Sequence, residues 1–116
     1  MDVEQIREYC LSKPFVEESL PFGPDVLVFK IGGKIFLLLP LNTEQLQFNV
    51  KSNPEEIELL RENFSCVLPS YHMNKKHWNT IVPNASVTTS QLYKWIDESY
   101  TIVLNSLSKK IKANLL

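Results

Sequence analysis

Thirteen residues, Ser70 to Val82 (SYHMNKKHWNTIV), gather two histidines, a tyrosine, a tryptophan, two adjacent lysines and two asparagines. Lysines neutralise phosphates, an asparagine bonds an adenine edge at two atoms or a phosphate oxygen, and Tyr, His or Trp rings stack on an unpaired base. The candidate contact set is therefore Tyr71, His72, Asn74, Lys75, Lys76, His77, Trp78 and Asn79, which Asn49 and Lys51 extend from another segment. The same residue types also have an ordinary structural use. In that reading Tyr71 and Trp78 pack into the core while His72, Asn74 and Asn79 bond the loop backbone, leaving two solvated lysines.

Other chemistry finds less support in the residues. His72 and His77 are five positions apart, which matches neither the helical i, i+4 pairing nor a finger spacing, so no metal site is expected. Cys66 sits in an apolar run where a thiolate is suppressed, and no activating group is placed beside it by sequence. Gly32-Gly33 is followed by a strand pattern, not by the helix a phosphate cradle needs. The neighbouring carboxylates Glu17-Glu18 and Glu55-Glu56 point apart on a strand or in a first helical turn, so neither makes an acid/base dyad. Neither an enzyme nor a cofactor is expected.

The elements that must position the polar segment can be read in order. Asp2 with Gln5 forms a capping pair, and Val3, Ile6 and Cys10 keep helical spacing until Pro14, predicting a helix from Val3 to Ser12. Val16 to Phe22 reads as a short irregular strand. VLVFKI, Gly32-Gly33 and KIFLLL then predict a β-hairpin, since both glycines can take the positive φ of a type I′ turn. From Gln45 to Lys51 the chain alternates: Leu46, Phe48 and Val50 face a dry side, and Gln45, Gln47, Asn49 and Lys51 a wet one. Asn53-Pro54-Glu55-Glu56 reads as the start of a helix running to Asn63. Cys66 to Leu68 and Trp78 to Val82 are strands ended by Pro69 and Pro83, so Ser70 to His77 is the connection between them. Thr88 with Gln91 opens a long helix, Thr89 to Leu107, whose inward stripe includes Trp95, and Lys109, Lys110 and Lys112 follow as a solvated tail.

With 116 residues the chain fits one domain, residues 1–116, and its 12 basic against 13 acidic residues (formal charge −1) leave any nucleic-acid contact to a local patch. Cys10 and Cys66 lack ligand spacing and read as buried reduced thiols, with a reducing cytoplasm as the default. No signal peptide or membrane span is expected: the longest apolar run, Ile35 to Leu39, is far short of the ~20 residues a spanning helix needs.

The segment YHMNKKHWNTI, with PFGPDVLVFKIGGKIFLLL (Pro21 to Leu39) and LYKWIDESY (Leu92 to Tyr100), resembles the MmcQ/YjbR family over nearly the whole chain. The resemblance implies a bacterial protein with a frataxin-like or secretion-chaperone-like fold of a kind commonly described as DNA-binding. The fold expected is α+β, an antiparallel sheet of about five strands covered by an N-terminal helix, a middle helix and a long C-terminal helix. The function expected is a binding module with DNA as partner through the basic aromatic loop. The alternative is a protein-interaction module whose open sheet face takes a polypeptide or a second copy of the chain.

Overall fold

A computed structural model describes residues 1–71 and 73–115. Helix α1 (Val3–Leu11) leads to strand β1 (Val16–Ser19), the hairpin β2 (Val26–Ile31) and β3 (Lys34–Pro40), and β4 (Phe48–Lys51). Helix α2 (Ile57–Asn63), β5 (Val67–Pro69), β6 (Trp78–Ile81), α3 (Thr89–Ser106) and α4 (Lys109–Leu115) complete the chain. The strands form one sheet in the order β1-β2-β3-β4-β6-β5, every neighbouring pair antiparallel. The α+β class is borne out, with six strands where about five were expected.

Local chemistry accounts for the ends of the elements. Asp2 and Gln5 make the full reciprocal capping box of α1. The hairpin glycines have φ of 58° and 81°, the left-handed conformation that the two-residue turn demands. Gly32 has a second reason to be glycine, because a Cβ there would lie 2.7 Å from Leu107 Cδ1 and 2.9 Å from Ile111 Cγ2.

Several boundaries differ from expectation, β1 ending at Ser19 rather than Phe22 and β4 starting at Phe48 rather than Gln45. The middle helix begins at Ile57, not Pro54, because the Asn53 side chain accepts from Glu55 N (3.0 Å) and its carbonyl from Glu56 N (2.9 Å), closing a turn ahead of the helix. The expected solvated tail is helix α4: Ser108 Oγ accepts from Ile111 N, and Leu107 and Ile111 dock on the core beside the hairpin.

One face of the sheet carries Phe29, Leu37, Leu39, Phe48, Val50 and Ile81 against Ile6 of α1 and Leu92, Trp95, Ile96 and Val103 of α3. A register shift at Phe29/Lys30 turns both Phe36 and Leu37 to this side. Buried Ser99 of α3 holds the irregularity, donating to Phe36 O and accepting from Lys51 N (2.8 Å). The opposite, outer face has a smaller cluster of Val28, Leu38 and Trp78, with Val26, Ile35 and Met73 packed around it.

Candidate nucleic-acid interface

The connection between β5 and β6 is a pinned loop. Asn74 O accepts from His77 N (3.0 Å) and Trp78 N (2.9 Å), and Asn74 Oδ1 accepts from Lys76 N (2.9 Å), so this asparagine builds the turn. His77, half-buried, ties the loop to β4 through its carbonyl, which accepts from Ser52 N (2.8 Å). Arg61 of α2 clamps it from the helix side. Its Nη2 donates to Lys75 O (2.6 Å) and Trp78 O (3.3 Å), and its Nε to Asn79 Oδ1 (2.7 Å). A planar guanidinium suits several fixed acceptors at once. Arg61 lies four residues after Ile57, on the apolar stripe of α2, and a cation at such a position is the sequence signal of a buried acceptor opposite.

The loop sorts the predicted site residues by exposure. Tyr71 is 74% exposed, and Lys75 Nζ stands 4.9 Å from the centre of its ring. Lys75 and Lys76 are exposed, and neither forms an ion pair among the described residues. Lys51 reaches the same outer face, its Nζ 5.9 Å from the Trp78 ring. Two expected contacts are corrected. Trp78 is 7% exposed, packed with Val28 and Leu38, and offers no open ring face for a base. Asn79 is fully buried on the helix side, because strand alternation places it opposite Val50. Its Nδ2 finds no partner among the described residues. His72 lies outside the described residues. The C-terminal lysines ride on α4, which docks beside Gly32 on the helix side, and they do not join this surface.

Beside the loop, the outer face opens into a cleft of about 490 Å³. Leu38 and Met73 line its apolar floor, Asn49 and Thr80 add polar groups, and Phe22 and Tyr71 stand at it with most of their ring surface in solvent. Asn49 is held by two hydroxyls, its Oδ1 accepting from Ser70 Oγ (2.8 Å) and Thr80 Oγ1 (2.5 Å). Phe22 escaped notice in the sequence. Its place between Pro21 and Gly23, in a turn with nothing to pack against, was the available signal.

The cysteines take no part in this surface. Burial pushes the Cys10 thiol up to about 12 and raises that of Cys66, so both favour the unreactive protonated form. Among the described residues no group of three or more His, Cys, Asp or Glu side chains is placed to hold a metal ion. No described helix is long and apolar enough to cross a membrane.

Comparison with known proteins matches residues 11–102 to the family model YjbR. Among individual sequences, the chain is 38% identical over 107 residues to the uncharacterized protein YbdF of Escherichia coli O157:H7, covering 92% of this chain and 88% of the relative. It is 32% identical over 110 residues to the uncharacterized protein YjbR of E. coli K12, covering 95% and 93%. The fold is similar to the crystal structure of Deinococcus radiodurans protein DR2400, described as a DUF419 domain, with a TM-score of 0.87 at 29% identity over 97% of this chain and 86% of that one. A Pseudomonas syringae protein aligns with a TM-score of 0.77 at 26% identity, over 89% of this chain and 99% of its own.

Proposed function

The chain belongs to the YjbR family, and on that footing we propose that it is a non-enzymatic module that binds single-stranded nucleic acid across the outer face of its sheet. The observation that carries the reading is the pairing of exposed Tyr71 with Lys75 at the edge of a cleft that has polar groups among its apolar ones. An exposed ring beside a cation is the elementary unit of single-strand binding: the base stacks and the phosphate is neutralised. Lys51 extends the positive charge along the outer face, and Lys76 adds an exposed cation in the same loop. A duplex fits less well, since tight duplex binders neutralise roughly 6–10 phosphates, whereas this chain has a formal charge of −1 and three lysines at the site. The cytoplasm is the compartment this reading assigns, in keeping with two buried free thiols.

Fluorescence anisotropy with generic single-stranded and duplex oligonucleotides, at low and moderate salt, tests the proposal. Each lysine contact to a single strand contributes about −0.7 to the slope of log K against log salt. Lys75→Ala with Lys76→Ala should therefore flatten the slope by about 1.4. Tyr71→Ala should lose ~1–3 kcal/mol of binding at an unchanged slope, with stability unaffected because the ring is solvated. Absence of binding at a protein concentration of about 10⁻⁴ M in low salt would overturn the reading, since non-specific sites commonly reach roughly 10⁻⁴ to 10⁻⁶ M even at physiological salt.

A second reading is favoured by the exposed apolar side chains Phe22 and Leu68 at the same cleft: the face takes a polypeptide or a second copy of the chain. It forecasts concentration-dependent self-association in sedimentation, with no salt-sensitive binding of oligonucleotides.

A further inference from the structure

Asn49 sits in the middle of the sheet and lines the cleft. Its Oδ1 accepts two hydroxyl hydrogens, from Ser70 Oγ at 2.8 Å and Thr80 Oγ1 at 2.5 Å. An amide oxygen has two lone pairs, so both are engaged and the amide plane is fixed. No described residue accepts a bond from the Asn49 Nδ2 group. What this side chain itself still offers a ligand is an N–H donor, while the acceptors left in the cleft belong to its neighbours Gln47 and Thr80. Ser70 is itself 1% exposed, so one of the two hydroxyls that set this orientation is held in place by burial.

A freely rotating asparagine reads adenine with both amide atoms, taking the N6 hydrogen on its oxygen and donating to N7. Here the oxygen is already occupied, and that pairing is closed. A donor among apolar side chains such as Leu38 and Met73 suits a ring that presents a carbonyl, and the thymine methyl suits the apolar wall. With position 4 of the ring toward Asn49, thymine and uracil present a carbonyl, whereas cytosine presents its N4 amine, itself a donor. Resting on the single-strand reading above, we infer that Asn49 makes the cleft selective for oxo pyrimidines, thymine or uracil, over cytosine and adenine. Ser70 and Thr80 are positioning residues that act through Asn49.

The test compares dT, dC and dA oligomers of equal length by anisotropy, followed by the same series on Asn49→Asp. The dT to dC comparison is the diagnostic one, because both strands are flexible pyrimidine runs that differ at the C4 group Asn49 would meet and at the thymine methyl, a difference that a dU oligomer removes. The wild type should favour dT over dC by about tenfold or more. In Asn49→Asp the carboxylate still accepts from both hydroxyls, and its second oxygen is an acceptor where Nδ2 was a donor. All three oligomers should weaken from the added negative charge, while the dT to dC ratio inverts. Thr80→Val is the companion variant should Asp fail to fold, as judged by its melting transition. It frees one lone pair of Asn49 and should move the ratio toward one. Equal binding of dT and dC by the wild type overturns the inference while leaving the single-strand reading intact. Failure of every oligomer to bind overturns both.

Discussion

Replacing Arg61 is the sharpest perturbation of the site that does not touch its exposed surface. In Arg61→Met the aliphatic stem is kept, and the bonds to Asn79 Oδ1, Lys75 O and Trp78 O are lost. The loop carbonyls can turn toward water, but Asn79 is fully buried and its Nδ2 already lacks a described partner, so the whole amide is left unpaired. A hydrogen bond to a charged group contributes about 1.5–3 kcal/mol, and most of that should appear because the stranded acceptor cannot reach solvent. We expect a loss of about 3 kcal/mol in urea unfolding at an unchanged m-value, a large part of the ~5–15 kcal/mol that holds a small domain together. Arg61→Lys should recover little, since one ammonium cannot span three acceptors set by one strand and a loop. The decisive comparison is Arg61→Met with Asn79→Leu. Removing both partners of a buried bond can be nearly neutral, so the double variant should be more stable than Arg61→Met by about 2 kcal/mol. Hydrogen exchange should also quicken at residues 74–78, whose turn the guanidinium clamps. A loss below about 0.5 kcal/mol for Arg61→Met, or strictly additive losses in the double variant, would refute the clamp.

In the hairpin, Gly33→Val should cost roughly 1–2 kcal/mol from its φ of 81° alone. Gly32→Ala should cost ~1–3 kcal/mol more than Gly33→Ala, because its Cβ meets Leu107 and Ile111, and equal losses in chemical denaturation would mean that α4 does not press on the turn. Trp95→Ala should remove about 3–5 kcal/mol, since the ring is buried and packs edge-on against Phe64 at 4.9 Å; a loss near 1 kcal/mol would contradict its core position. Burial raises Cys10 from 9.0 and Tyr9 from 10.0, each to about 12, the latter with help from its hydrogen bond to Asp97. Both folded values lie above the unfolded ones, so the stability they contribute is complete below about pH 9 and is lost as pH rises toward 12. Unfolding free energy that stays flat over that window would contradict it. The native thiols should likewise resist a disulfide reagent at neutral pH until denaturant is added, and immediate labelling of Cys10 would place it outside the core.

Much of this molecule was readable residue by residue. The Asp2/Gln5 box, the Gly32-Gly33 turn, the alternation from Phe48 to Lys51 and the inward stripe of the long helix each follow from interactions within a few positions, where backbone φ and ψ, cap bonds and side-chain period decide the outcome. The sequence also located the polar loop and its lysines, and within that loop it held open whether the rings were contacts or core. That choice belonged to tertiary structure. Alternation sends Trp78 to the outer face beside Lys51, which reads as solvent in the sequence, but Met73 folds back and joins Val28 and Leu38 around the ring. Tyr71, seven residues earlier in the same string, stays in water. Asn79 found Arg61 from 18 positions away, and the C-terminal lysine run became a helix because Leu107 and Ile111 met the hairpin glycine. Burial is a property of neighbours, and when neighbours come from distant parts of the chain, no local pattern records which side chain they will cover.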